Sequence, residues 1–244
     1  MMRMLVTRPE PDAAATQEKL AALDIASAAA PMMTRQTLAA NLPKAEGFGA
    51  IAITSTNALR ALADLGALAS FLTIPAFAVG DRTAHEAEQL GFASVKAADG
   101  TLESLVTTIA LARPQGPVFY PAGKHLSGDL AHALAPHGLM VVTTAVYEMV
   151  AQTDADPAVI AALADNEFGA VLFYSRRTAE IFGSLVAPRL PDLSKRNLSM
   201  LCLSENVASP MIANGFARIL LADHPSEAAM MALALAFARE QTGP

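Results

Sequence analysis

The chain has 244 residues, a formal charge of −6, one cysteine and 53% hydrophobic residues, much of that share alanine. Its length allows one large domain or two modest ones, each with its own core. The negative charge and the lack of any Lys/Arg-rich run exclude general nucleic-acid binding, and no apolar run reaches the ~20 residues of a membrane span. A lone Cys202 and five scattered histidines, with neither CxxC nor HxxxH spacing, argue against zinc. The opening segment meets Pro9 and Asp12 too early for a secretory core, so a cytoplasmic protein is expected.

Short apolar runs alternate with segments of helical period, the βαβ pattern of a parallel sheet covered on both faces. In chain order, strands are expected at Met4–Thr7, Ala50–Thr54, Pro75–Val79, Pro117–Tyr120, Met140–Val146, Ala170–Tyr174, Leu198–Leu203 and Ala217–Leu221. Helices are expected at Pro11–Leu23, Asn57–Leu65, Arg82–Leu90, Leu102–Leu111, Leu126–Ala135, Arg177–Val186, Asn206–Ala213 and Pro225–Gln241, with Gly91 and Gly138 as helix-terminating glycines. Two stretches interrupt the rhythm, Thr34–Gly47 and Ala151–Glu167. Their Pro, Asp, Asn and Thr content reads as connector plus a short helix.

The sequence also repeats itself. FGAIAITSTNAL (48–59) returns as FGAVLFYSRRTA (168–179), 120 positions later. MLVTRP (4–9) aligns with VFYPAG (118–123), VGDRTA (79–84) with LSENVA (203–208), and ADGTLES (98–104) with ADHPSEA (222–228). A period this long implies two similar lobes rather than a short-repeat solenoid. If both connectors cross between lobes, the outer chain segments build one domain, 1–34 plus 157–244, and the middle segment, 38–147, builds the other. The linkers then fall at about 35–44 and 148–156. The expected fold is α/β, two flavodoxin-like parallel-sheet domains joined by a two-stranded linker. Two sequential domains are the alternative segmentation. Paired lobes create a cleft for a small ligand.

GFGAIA (47–52) fits a loose dinucleotide-binding pattern, but a strand follows it where a helix is required. What recurs instead is polar residues at strand ends opening helices: Thr7-Arg8-Pro9, Thr54 to Asn57, Gly80 to Thr83, Ala122-Gly123-Lys124 and Ser175 to Thr178. These points share one sheet edge, where helix N-termini present free N–H groups to carboxylates or phosphates. Taken singly, each position is better explained by helix capping; it is their combination that points to a ligand. Tyr147, ending a strand at the second connector, reads either as a hinge-packing ring or as a ligand contact. Glu10, Asp81, Asp129, Glu148 and Glu205 are potential general acids, none singled out by pairing.

LVTRPE (5–10), TSTNAL (54–59), VGDRTA, VYEMV (146–150), FYSRRTAEIF (173–182) and HPSEA (224–228), taken as a set and in order, resemble the uroporphyrinogen-III synthase family. The resemblance implies two flavodoxin-like domains on a two-stranded linker, and a cofactor-free lyase. The implied reaction closes hydroxymethylbilane, a linear tetrapyrrole with eight carboxylates, to uroporphyrinogen III with inversion of ring D and loss of water. It implies Tyr147 as the group assisting departure of the substrate hydroxyl. Arg8, Ser55, Asn57, Gly80, Thr83 and Ser175 are the substrate-binding positions that it implies, with a folding role equally open for Arg8. The strand-end turns themselves, rather than the resemblance, add Arg82, Gly123, Lys124 and Arg176 as substrate-binding candidates. The implied partners are the small-molecule substrate and, transiently, the preceding pathway enzyme, with the protein a monomer and neither nucleic acid nor membrane bound. At LSENVA, Ser204 and Val207 stand where the family commonly has Gly and Thr, so a hydroxyl is missing there. A non-catalytic two-lobed protein binding a small polyanion is the rival reading.

Overall fold

The computed structural model describes residues 3–126 and 128–242. Residues 1, 2, 243 and 244, at the ends of the expected outer domain, and residue 127, inside the helix expected at Leu126–Ala135, lie outside these. The chain opens with β1 (Arg3–Val6), α1 (Asp12–Ala21), β2 (Ser27–Ala29) and β3 (Met33–Thr37). It continues through β4 (Ala50–Ile53), α2 (Thr56–Asp64), α3 (Leu68–Phe71), β5 (Ala76–Ala78), α4 (Asp81–Gln89), β6 (Val95–Ala97) and α5 (Leu102–Ala112). Next come β7 (Val118–Gly123), α6 (Leu130–Leu134), β8 (Val141–Ala151), α7 (Pro157–Ala164), β9 (Phe168–Phe173) and α8 (Arg176–Leu185). The last elements are α9 (Asp192–Asn197), β10 (Ser199–Cys202), α10 (Glu205–Ala213), β11 (Arg218–Leu221) and α11 (Glu227–Thr242). Gly91 and Gly138 adopt φ of +94° and +73° just past helix ends, as a terminating glycine does.

Two compact units result: Met1–Thr34 with Val150–Pro244, and Arg35–Met149. In the first, five parallel strands lie in the order β2-β1-β9-β10-β11. Counted along that unit's own chain the order is 2-1-3-4-5, that of flavodoxin. In the second, the parallel order is β8-β7-β4-β5-β6, with β3 added beside β8. The sequence repeat equates β7 and β8 with β1 and β2, and β4, β5 and β6 with β9, β10 and β11. The two sheets therefore have one spatial order, and the second is a circular permutation of the first. In each, the strand order reverses at one place, between β1 and β9 or between β7 and β4. Such switch points are where open α/β sheets leave room for a ligand.

Burial on both sheet faces accounts for most of the strands that the sequence reveals, β8 and β11 being partly exposed. All four residues of β4 (AIAI) are buried, as are those of β5 and β10. In β1, Met4 and Val6 join Leu172, Leu201 and Phe237, while Leu5 turns to Val171, Phe173 and Phe182 on the opposite face.

The connectors differ from expectation. Thr34–Thr37 belongs to strand β3, and no helix follows before residue 47; the second connector does hold a helix, α7. The N–H of Gln152 bonds Met32 O at 3.0 Å and that of Leu38 bonds Val146 O at 2.9 Å. The rising and falling numbers make β3 and β8 antiparallel. Both unit boundaries fall inside these two strands, so a hydrogen-bonded strand pair carries the chain from one unit to the other.

Candidate active site

In the unit Arg35–Met149, β4 ends at Ile53 and α2 begins with Ser55 extended (φ −157°, ψ 142°), its Oγ accepting the Asn57 N–H at 3.2 Å. Ser55 is therefore a helix cap. Asn57 sends Nδ2 to the Met149 sulfur at 3.6 Å, which brings the start of α2 against the end of β8. Gly80 precedes α4 in extended conformation (φ −172°), so torsion does not require a glycine there. Packing there is tight: a Cβ on Gly80 would lie 3.3 Å from Gly100 Cα, so the Gly100 backbone would have to give slightly to admit one. Thr83 is buried in the first turn of α4 and Arg82 is exposed.

At the β7 end, the Lys124 N–H donates to Tyr147 O at 2.8 Å. The Lys124 ammonium pairs with Glu148 at 2.9 Å, and His125 Nε2 lies 3.2 Å from the same carboxylate. The hydrogen bond from Lys124 holds the Glu148 carboxyl below its ordinary range, assisted by His125. The Tyr147 ring lies directly on Gly123, half-buried against the face that includes Val146 and Phe119. Beside it, at the switch point between β4 and β7, the Thr54 hydroxyl and Tyr120 phenol are 3.0 Å apart. Burial pushes the Tyr120 phenol above its usual pKa, opposed by the Thr54 contact and reinforced by nearby Tyr147. Tyr120 was not among the residues expected here; the switch-point rule applied to VFYPAG was the signal available for it.

The other unit's switch point is charged and closed. Arg8, expected to bind substrate, is 7% exposed. Its guanidinium bonds Glu227 at 2.7 Å, Asp12 at 3.1 Å and Thr16 Oγ1 at 3.1 Å, and lies 4.1 Å over the Tyr174 ring. Lys19 approaches Glu227 at 3.4 Å, and the Tyr174 hydroxyl donates to it at 3.3 Å. Burial alone would raise the Glu227 carboxyl, but Arg8 and Lys19 hold it below the ordinary carboxylate range. Of the two roles open to Arg8 in the sequence, this network supports the folding one. It joins two motifs that the sequence presents as unrelated, TRP and HPSEA. Ser175 caps α8, accepting the Thr178 N–H at 3.2 Å, and Arg176 bridges Glu180 and Asn206 on the exposed surface. Ser204 caps nothing with its side chain, and Val207 is buried.

Each sheet thus directs capped helix N-termini and polar side chains to its carboxyl edge, an arrangement able to receive several carboxylates. The sequence model of the family described as Uroporphyrinogen-III synthase HemD matches residues 14–232. The chain belongs to the uroporphyrinogen-III synthase family. Its fold matches that of the uroporphyrinogen-III synthetase of Helicobacter pylori with a TM-score of 0.66 at 19% identity, over 97% of this chain and 100% of that one. A mutant uroporphyrinogen III synthase from the extremely thermophilic bacterium Thermus thermophilus matches with a TM-score of 0.56 at 20% identity, over the whole of both chains. No curated protein sequence matches it. Family membership favours the synthase reading over a non-catalytic binding protein. Among the described residues no helix is long and apolar enough to cross a membrane.

Proposed function

We propose that this chain closes hydroxymethylbilane to uroporphyrinogen III as a cofactor-free lyase, with inversion of ring D and loss of water. The observation that carries the reading is the family match over residues 14–232. In this reading the substrate's hydroxyl departs as water, leaving an electrophilic azafulvene. Ring D attacks through its substituted carbon to give a spiro intermediate, and rearrangement delivers the inverted ring. The chain's part is to hold the reactive ends in one geometry, an effect able to supply large rate factors by orientation alone.

The Tyr147 phenol is our candidate donor to the departing hydroxyl, stabilising charge as it develops. The helix starts at Ser55, Asn57, Gly80 and Thr83 and at Ser175 take the substrate carboxylates through N–H groups, with Arg82, Gly123, Lys124 and Arg176 beside them. Arg8 supports the fold of its own unit. The protein works as a cytoplasmic monomer and receives its unstable substrate through transient contact with the enzyme that makes it. The test is to supply hydroxymethylbilane and resolve the ring isomers. Enrichment of isomer III over the spontaneous isomer I is expected; the spontaneous distribution, with folded protein present, refutes the proposal.

A further inference from the structure

We infer that Gly123 is a positioning residue that sets the place of the Tyr147 phenol, together with a register shift between β7 and β8. The inference rests on the reading of Tyr147 as the donor to the leaving hydroxyl. Along β7 and β8 the ladder pairs Ala122 with Ala145, then Gly123 with Tyr147, passing over Val146. Side chains alternate across a regular strand, so Tyr147 would otherwise share the face of Val141, which packs with Tyr120 and Ala122. Val146 packs on the opposite face, with Ile51, Ile53 and Phe119, and Tyr147 packs there too. An irregularity that leaves two consecutive side chains on one face is what a bulge produces, and bulges re-aim side chains beside active sites.

Gly123 then fixes where the re-aimed ring lies. A Cβ on this residue would stand 2.9 Å from Tyr147 Cζ, 3.0 Å from its Oη and 3.2 Å from its Cε2. All three atoms belong to the reactive end of the phenol, so the ring occupies the space that any other side chain would take. The Lys124 N–H bond to Tyr147 O, 2.8 Å long, meanwhile holds the tyrosine backbone to the same strand end. Gly123 is not among the positive-φ glycines, so alanine meets no torsional penalty there. The atoms it would strike lie at the tip of a side chain able to swing aside. Gly123→Ala is therefore expected to fold with the phenol displaced. This sharpens the substrate-binding assignment of Gly123, which acts through Tyr147.

The chain has three tyrosines and no tryptophan, so ring-labelled tyrosine gives three NMR signals, assigned by Tyr147→Phe. In Gly123→Ala the Tyr147 signal should move while that of Tyr174, in the other unit and assigned by Tyr174→Phe, stays, with an unchanged circular dichroism spectrum reporting an intact fold. Turnover should fall about 10²-fold, the scale of an ångström's misplacement, with KM little changed. In a Tyr147→Phe background, adding Gly123→Ala should cost little more. An unmoved Tyr147 signal, or a loss of turnover that persists in full in that background, overturns the inference. If Tyr147→Phe turns over like the wild type while Gly123→Ala still moves the Tyr147 signal, the positioning stands and the donor role falls.

Discussion

Replacing Arg8 by methionine keeps an unbranched side chain over the Tyr174 ring, where a thioether still makes a favourable contact, and removes the charge. Asp12 and Glu227, with side chains 18% and 30% exposed, then lose their shared cation. Breaking a buried pair in this way costs roughly 3–5 kcal/mol. The partial exposure of Glu227, and Lys19 at 3.4 Å, put this case near about 3 kcal/mol. For a domain between the usual small and large classes, that corresponds to a fall in Tm of about 10 °C. The pH dependence has a definite sign. The Glu227 carboxyl is held below its ordinary range in the folded protein, so its contribution is present above the unfolded pKa and is lost as pH falls through the folded one. In the variant the desolvation that raises this carboxyl is unopposed by Arg8, and protonation relieves it. The gap in Tm between the two proteins should therefore close below about pH 4. Thermal unfolding followed by circular dichroism at several pH values measures this. A variant that melts with the wild type at pH 7, or a gap that widens in acid, refutes the argument.

Tyr147→Phe should lower turnover by about 10²–10³, the loss expected for one transition-state donor, with isomer III still dominant because geometry selects the inversion. A wild-type rate makes Tyr147 a packing residue. Arg82→Ala and Lys124→Ala should each weaken substrate binding by about tenfold to a hundredfold, measured by single-turnover titration. Complete loss from either, with the fold intact, would show that side-chain charge outweighs the helix N-termini. Burial pushes the Cys202 thiol up to about 12, so Ellman's reagent should leave it untouched in the native protein at pH 8 and label it only on unfolding. Rapid native labelling would contradict its place in the core.

Six of the eight strands that the sequence reveals are mostly buried on both faces; β8 and the edge strand β11, also legible as apolar runs, are partly exposed. AIAI at Ala50–Ile53 and AVLF at Ala170–Phe173 read as uninterrupted apolar runs because they lie inside their sheets. The edge strands β2, β3 and β6 (SAA, MTRQT and VKA) were not legible, since an edge position demands no such run and the pairing that makes Met33–Thr37 a strand comes from β8, far along the chain. The helix caps Ser55 and Ser175 were legible because capping is local, fixed within three residues.

By itself the sequence determined the repeat, the alternation of strand and helix, and the family resemblance, since each is written in local patterns of side-chain type. Tertiary structure decided what each polar residue faces. Nothing near Arg8 announces that its partner is Glu227, 219 positions away, because an ion pair depends on position in space rather than on neighbours in the chain. Nor does VVTTAVYEMV show which face Tyr147 takes. That depends on the register between β7 and β8, and a slip of one residue turns a side chain to the opposite face of a sheet.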